Sequence, residues 1–67
     1  METLFRMRYL GGQATHLDLA LALEQVAAEL RERAEPVDDV VKKDAGTVRE
    51  HMEVVAVWGV TLEEPKE

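Results

Sequence analysis

Apolar and polar residues alternate from Thr3 to Leu10, a period of two that predicts a β-strand with Phe5, Met7 and Tyr9 on its buried face. A helical period follows from about His16 to Ala34. Thr15 is its predicted N-cap, and the proline at position 36 prevents its continuation. The first half of the chain therefore predicts a strand followed by a helix.

Two further strands are predicted after the helix. Val37–Lys43 forms a modest strand, Asp44–Gly46 a hairpin turn, and Thr47–Leu62 one long strand. The segment Val54–Val60 is apolar on both sides, which is typical of a strand in the middle of a sheet. At roughly 3.3 Å per residue the long strand would extend about 53 Å, so it must bend or pair with another chain.

These elements predict a single α+β domain over residues 1–67, with a polar tail at 62–67. The fold class is β-α-β-β, in which a three-stranded antiparallel sheet carries one helix on one face. The last strand, as the most apolar, is expected to lie between the other two.

The helix carries two apolar surfaces. The broad one is expected to pack on the sheet and comprises Leu19, Ala20, Leu23, Val26, Ala27, Leu30 and Ala34. Leu17, Leu21 and Ala28 cluster in the otherwise polar arc; they are either scattered surface residues or a second contact face. Since one helix covers one sheet face, Val55 and Val57 are expected on the open face. Leu17, Leu21, Val55 and Val57 are therefore the predicted interface of a homo-oligomer.

The composition of the chain argues against several classes of function. The chain has 67 residues, no cysteine, no serine and a net charge of −6, which argues against nucleic-acid and anionic-membrane partners. With no serine or cysteine nucleophile, and with Thr15 and Thr47 interpreted as a cap and a turn residue, an enzyme is not expected. No signal-peptide or membrane-spanning pattern is present, so a cytoplasmic location is expected. Few thermolabile residues suggest a thermophilic source or a GC-rich genome.

Histidine and tryptophan are the remaining candidates for chemistry. His51 and Glu53 would share one face of the long strand, but two ligands fall short of the three or four that metals normally need, so no metal site is predicted. Trp58 is interpreted as a core or interface residue, with a platform for a planar ligand as the alternative. Arg6 and Arg8 are interpreted as edge charges that discourage aggregation rather than as a nucleic-acid surface.

The stretch from Met52 to Glu64, MEVVAVWGVTLEE, resembles the closing strand of the dodecins, and Val48–Glu50 resembles the residues that enter it. Dodecins are small β-α-β-β proteins that assemble into hollow dodecamers and bind flavins. The resemblance implies an oligomer with flavin or a similar planar ligand between chains. Dodecins stack flavin on a tryptophan of the second strand, where this chain has no aromatic residue, and Glu53 stands where they place a glutamine.

We therefore expect a small homo-oligomeric, non-catalytic binding or storage protein. His51, Glu53 and Val55 are the predicted ligand residues, on the sheet face away from the helix. The alternative is a protein–protein interaction or regulatory subunit that has no small-molecule ligand.

Overall fold

The predicted order of elements is confirmed. The computed structural model describes residues 1–64 and contains β1 (Glu2–Tyr9), α1 (His16–Arg33), β2 (Lys43–Glu50) and β3 (Glu53–Glu63). The three strands form one antiparallel sheet in the order β1-β3-β2, so β3 is central as predicted. The fold is an α+β arrangement with one helix on a three-stranded sheet.

The predicted hairpin turn is wrong. Asp44–Gly46 lies inside β2, and the chain reverses instead at His51 and Met52, whose φ values are 51° and 69°. Positive φ at both central residues is the geometry of a two-residue type I′ hairpin. The expected 16-residue strand is therefore two strands of one chain, and its length requires no partner. The expected strand residues 37–42 lie outside every strand.

α1 begins at His16 with Thr15 as its N-cap, as predicted. The Thr15 side chain accepts a hydrogen bond from Asp18 N at 3.0 Å, and Asp18 Oδ2 accepts one from Thr15 N at 3.0 Å. This reciprocal capping box satisfies two backbone donors at the helix start. Asp18 is thereby fixed in the first turn, close to the end of β1.

The core is small and lies between α1 and the sheet. Its buried residues are Ala22, Val26, Val48, Ala56, Trp58 and Val60. Met7 and Tyr9 of β1 lie opposite Trp58 and Ala56 and pack against this core, which confirms the alternation predicted for these two residues. Phe5, which was predicted on the same buried face, is 40% exposed.

The predicted packing face of the helix is wrong in part. Val26 is buried as predicted, but Ala20, Leu23 and Ala27 are exposed, and Ala22, which the prediction did not assign to this face, is buried. α1 is rotated about its axis so that the polar residues Gln25, Glu29 and Arg33 also lie on the side of the sheet. Each of them contacts β2 or the indole of Trp58.

Trp58 is a core residue rather than an exposed platform. Its indole is 3% exposed and donates from Nε1 to Glu29 Oε2 at 3.3 Å, while the guanidinium of Arg33 lies 5.1 Å from the ring centroid. Phe5 stacks on the ring at a centroid distance of 6.2 Å. Arg33 also contacts Asp44 at 2.6 Å, and this hydrogen bond lowers the pKa of the Asp44 carboxyl. The indole is therefore contacted directly from α1 and β1, while Asp44 of β2 holds the arginine that lies over the ring.

β3 contains an irregularity near the hairpin. Val48 pairs with Ala56, but Arg49 pairs with Val54, so Val55 is an extra residue of β3 at this point. The side-chain amide of Gln25 bonds the Arg49 backbone, donating to Arg49 O at 2.9 Å and accepting from Arg49 N at 3.3 Å. β2 is an edge strand, and Gln25 thus occupies polar backbone groups that an edge would otherwise leave open.

We expect Gln25→Ala to lower the free energy of unfolding by about 1 kcal/mol, because it removes two partly solvated hydrogen bonds between α1 and β2. Urea unfolding followed by circular dichroism measures this loss. Glu24→Ala, one residue earlier on the helix and without a backbone contact of this kind among residues 1–64, is the control. Equal stability of the two variants would show that Gln25 does not fix the helix to β2.

Candidate functional site

A groove of about 390 Å³ lies between α1 and the hairpin end of the sheet. We call it the helix–hairpin groove; it is lined by Tyr9, Asp18, Leu21, Ala22, Glu24, Gln25, Ala28, Val48, Glu50 and Val55. Its volume falls in the range of small-molecule sites, about 300–1,000 Å³. β1, α1, β2 and β3 all contribute, so the groove exists only in the folded chain.

The groove has an apolar floor and an acidic rim. Val48 and Ala22 are buried, and Val55 packs against the same core. Three carboxylates, those of Asp18, Glu24 and Glu50, line the groove, and no lysine or arginine lies among its described lining residues. A negatively charged opening over an apolar floor is the result.

The pKa of the Tyr9 hydroxyl is affected by the charged side chains of this groove. Partial desolvation raises the pKa of its hydroxyl, and the negative charges of Asp18 and Glu50 raise it further. The carboxylates of Asp18 on α1 and of Glu50 on β2 therefore both affect the hydroxyl of Tyr9. The hydroxyl stays protonated at neutral pH and retains both a donor and an acceptor function.

The structure separates the three predicted ligand residues. His51 lies in the turn, not on a strand, with its side chain 92% exposed and 3.9 Å from Glu50. Glu53 is exposed at the start of β3, and Val55 packs on the helix side and lines the groove. Their expected common placement away from the helix is wrong, because the turn and the irregularity at Val55 both interrupt the period of two. Their role in ligand binding stays a prediction.

The predicted interface residues divide between two surfaces. Leu17 and Leu21 of α1 are 67% and 49% exposed, so the second apolar helix surface is open in the single chain. Val57 is half-buried and pairs with Arg8 and Thr47 across the sheet. Val55, by contrast, lies on the helix side. The contact of these residues with another chain stays a prediction.

The sheet face away from α1, here the outer sheet face, is basic around its centre. Alternation from buried Trp58 and Val60 assigns it Arg6, Arg8, Lys43, Ala45, Thr47, Val57, Gly59 and Thr61. A Cβ built on Gly59 would meet nothing nearer than Asp44 O at 3.8 Å. No contact among residues 1–64 therefore requires glycine at this position, and in the single chain these residues leave the face open to an approaching molecule.

Other site classes gain no support from the described part of the chain. Residues 1–64 contain no group of three or more histidine, cysteine, aspartate or glutamate side chains placed to hold a metal ion. Within the same residues no helix combines the length and apolarity needed to cross a membrane.

Comparison with known proteins returns no family model, no curated protein and no solved structure that matches this chain significantly. The groove residues Tyr9, Asp18 and Glu50 were not predicted as a site, because their separation in the sequence gives no local signal that they meet.

Proposed function

We propose that this chain is a small, non-catalytic binding protein that works as a homo-oligomer and holds a flavin or a similar planar ligand between chains, in the manner that its resemblance to the dodecins implies. The observation that supports this proposal is the mismatch between a small core and a large amount of uncovered apolar surface. Six hydrophobic residues are buried among the 64 described.

The uncovered apolar side chains lie on more than one surface. Leu17, Leu21 and Leu23 of α1 are 67%, 49% and 46% exposed, and Met52 at the hairpin tip is 96% exposed. Domains of this size bury only about 60% of their unfolded surface and commonly rely on assembly when disulfides and metals are absent. Association of identical chains would cover both the apolar helix surface and the outer sheet face.

The second candidate is an interaction or regulatory subunit without a small-molecule ligand. The observation in its favour is that His51, Glu53 and Val55 do not converge in the single chain. The same uncovered surfaces would then contact a different protein. The two proposals agree that the chain acts through contacts with other chains.

Native mass spectrometry of freshly purified protein is expected to show an assembly whose mass is a multiple of the 7.5 kDa chain. A bound ligand would add a further constant mass, and a flavin would also give visible absorbance. A colourless homo-oligomer without added mass would contradict the ligand part of the proposal, and a colourless protein found only with a different chain would favour the second candidate. A monomer at micromolar concentration with a sharp unfolding transition would contradict the homo-oligomer.

A further inference from the structure

We propose that the helix–hairpin groove binds a small amphipathic cation, such as an arylalkylamine, with its apolar part on Leu21 and Val55 and its ammonium group at Asp18, Glu24 and Glu50. The groove is formed by one chain, but it shares Val55 with the site proposed between chains and Leu21 with the apolar helix surface. An assembly that uses this helix surface must therefore leave the opening of the groove free.

The floor of the groove selects for an apolar body. Ala22 and Val48 at the base of the groove are 3% and 1% exposed, so the apolar area that a ligand would cover belongs mainly to Val55 and Leu21. Leu21 is 49% exposed and forms part of one wall, where a ligand would cover it. Removing such apolar area from water is favourable and roughly proportional to the area covered.

The rim of the groove selects for positive charge. Among residues 1–64, Asp18, Glu24 and Glu50 form no ion pair with lysine or arginine, and the imidazole of His51 lies 3.9 Å from Glu50. The same field that raises the pKa of Tyr9 would stabilise an ammonium group in the opening. An anion of the same shape would be repelled, so charge rather than size determines the specificity.

The rim is also positioned before a ligand arrives. Asp18 is fixed by the capping box with Thr15, and the hydrogen bonds between Gln25 and Arg49 fix the adjacent helix against β2. A rigid site loses less conformational entropy on binding. Tyr9 adds an aromatic ring to the wall, which attracts ammonium groups through its π face.

Three matched compounds test the proposal: 4-phenylbutylamine, 4-phenylbutanol and 4-phenylbutyrate, which share an apolar body and differ in charge. We expect the amine to bind about tenfold more tightly than the alcohol, as several weak ion pairs at a partly exposed site would give. The butyrate is expected not to bind in the groove. Nuclear magnetic resonance titration should place the amine-dependent shifts at Tyr9, Leu21 and Val55. Raising the ionic strength should reduce the preference for the amine.

Two sets of variants complete the test. The double variant Glu24→Gln/Glu50→Gln should reduce the preference for the amine to about twofold to threefold, whereas Glu32→Gln, which lies outside the groove on the same helix, should leave it unchanged. Ala28→Phe should block all binding in the groove. Equal affinity for amine and alcohol, shifts at other surfaces, or no binding of the amine up to millimolar concentration would overturn the proposal.

Discussion

Replacing Gly46 with alanine is expected to remove most of the folding stability of this domain. A Cβ atom at position 46 would lie 2.5 Å from Nε1 of Trp58 and 2.6 Å from two further indole atoms. The indole has little freedom to withdraw, because Glu29, Arg33 and Phe5 hold it from the other sides. The substitution therefore forces the largest core side chain to move, or β2 to separate from it.

Overpacking of this kind costs about 1–3 kcal/mol or more, against the roughly 3–5 kcal/mol that the core of so small a domain supplies. Thermal unfolding should show a loss of about 4–24 °C in Tm, since each kcal/mol shifts a domain of this size by about 4–8 °C. Gly59→Ala is the matched control in the neighbouring strand, because its new Cβ meets only Asp44 O at 3.8 Å. A Gly46→Ala protein that melts within about 2 °C of the wild type would show that the indole does not pack on β2.

Gly46 also shows why the hairpin was predicted in the wrong place. Asp44-Ala45-Gly46 has the composition of a turn, and the sequence alone offers no other reason for its glycine. The reason is tertiary, since the indole of Trp58 occupies the space of a side chain. The true turn at His51 and Met52 lacks the asparagine or glycine that usually marks positive φ, so it carries no local signal.

The elements that depend on local periodicity were predicted well. β1 was recognised from its alternation and α1 from its capping box and its period, with an end within one residue of the observed Arg33. The central position of β3 followed from its apolar residues on both sides. Each of these signals lies within one continuous segment of the chain.

The candidate site was not predictable to the same degree. The helix–hairpin groove combines Tyr9, Asp18, Glu50 and Val55 from four different elements. Their proximity depends on the turn at 51–52 and on the irregularity at Val55, and both features were missed. Because the turn at 51–52 divides the expected long strand in two, strand length no longer indicates pairing with another chain. The outer sheet face is still open in the single chain.

Val57→Asp is expected to dissociate the proposed homo-oligomer or to cause aggregation. Val57 lies at the centre of the outer sheet face, on the middle strand, with Arg8 and Thr47 as its cross-strand neighbours. In an isolated chain the new carboxylate would be partly solvated and next to the arginine, so its cost would be modest. In an assembly that covers this face, a carboxylate without a sufficient partner costs several kcal/mol. The substitution therefore distinguishes a covered face from an open one.

Light scattering after size-exclusion chromatography and thermal unfolding measure the effect. Val57→Thr keeps the β-branched shape without adding a charge, and Gln13→Asp adds the same charge in the exposed segment before α1. Both controls are expected to retain the wild-type mass, whereas Val57→Asp should shift to the mass of a single chain or to large aggregates. A Val57→Asp protein with wild-type mass and Tm would show that the outer sheet face contacts solvent. In that case, an oligomer detected by native mass spectrometry would be formed by the apolar helix surface around Leu17 and Leu21.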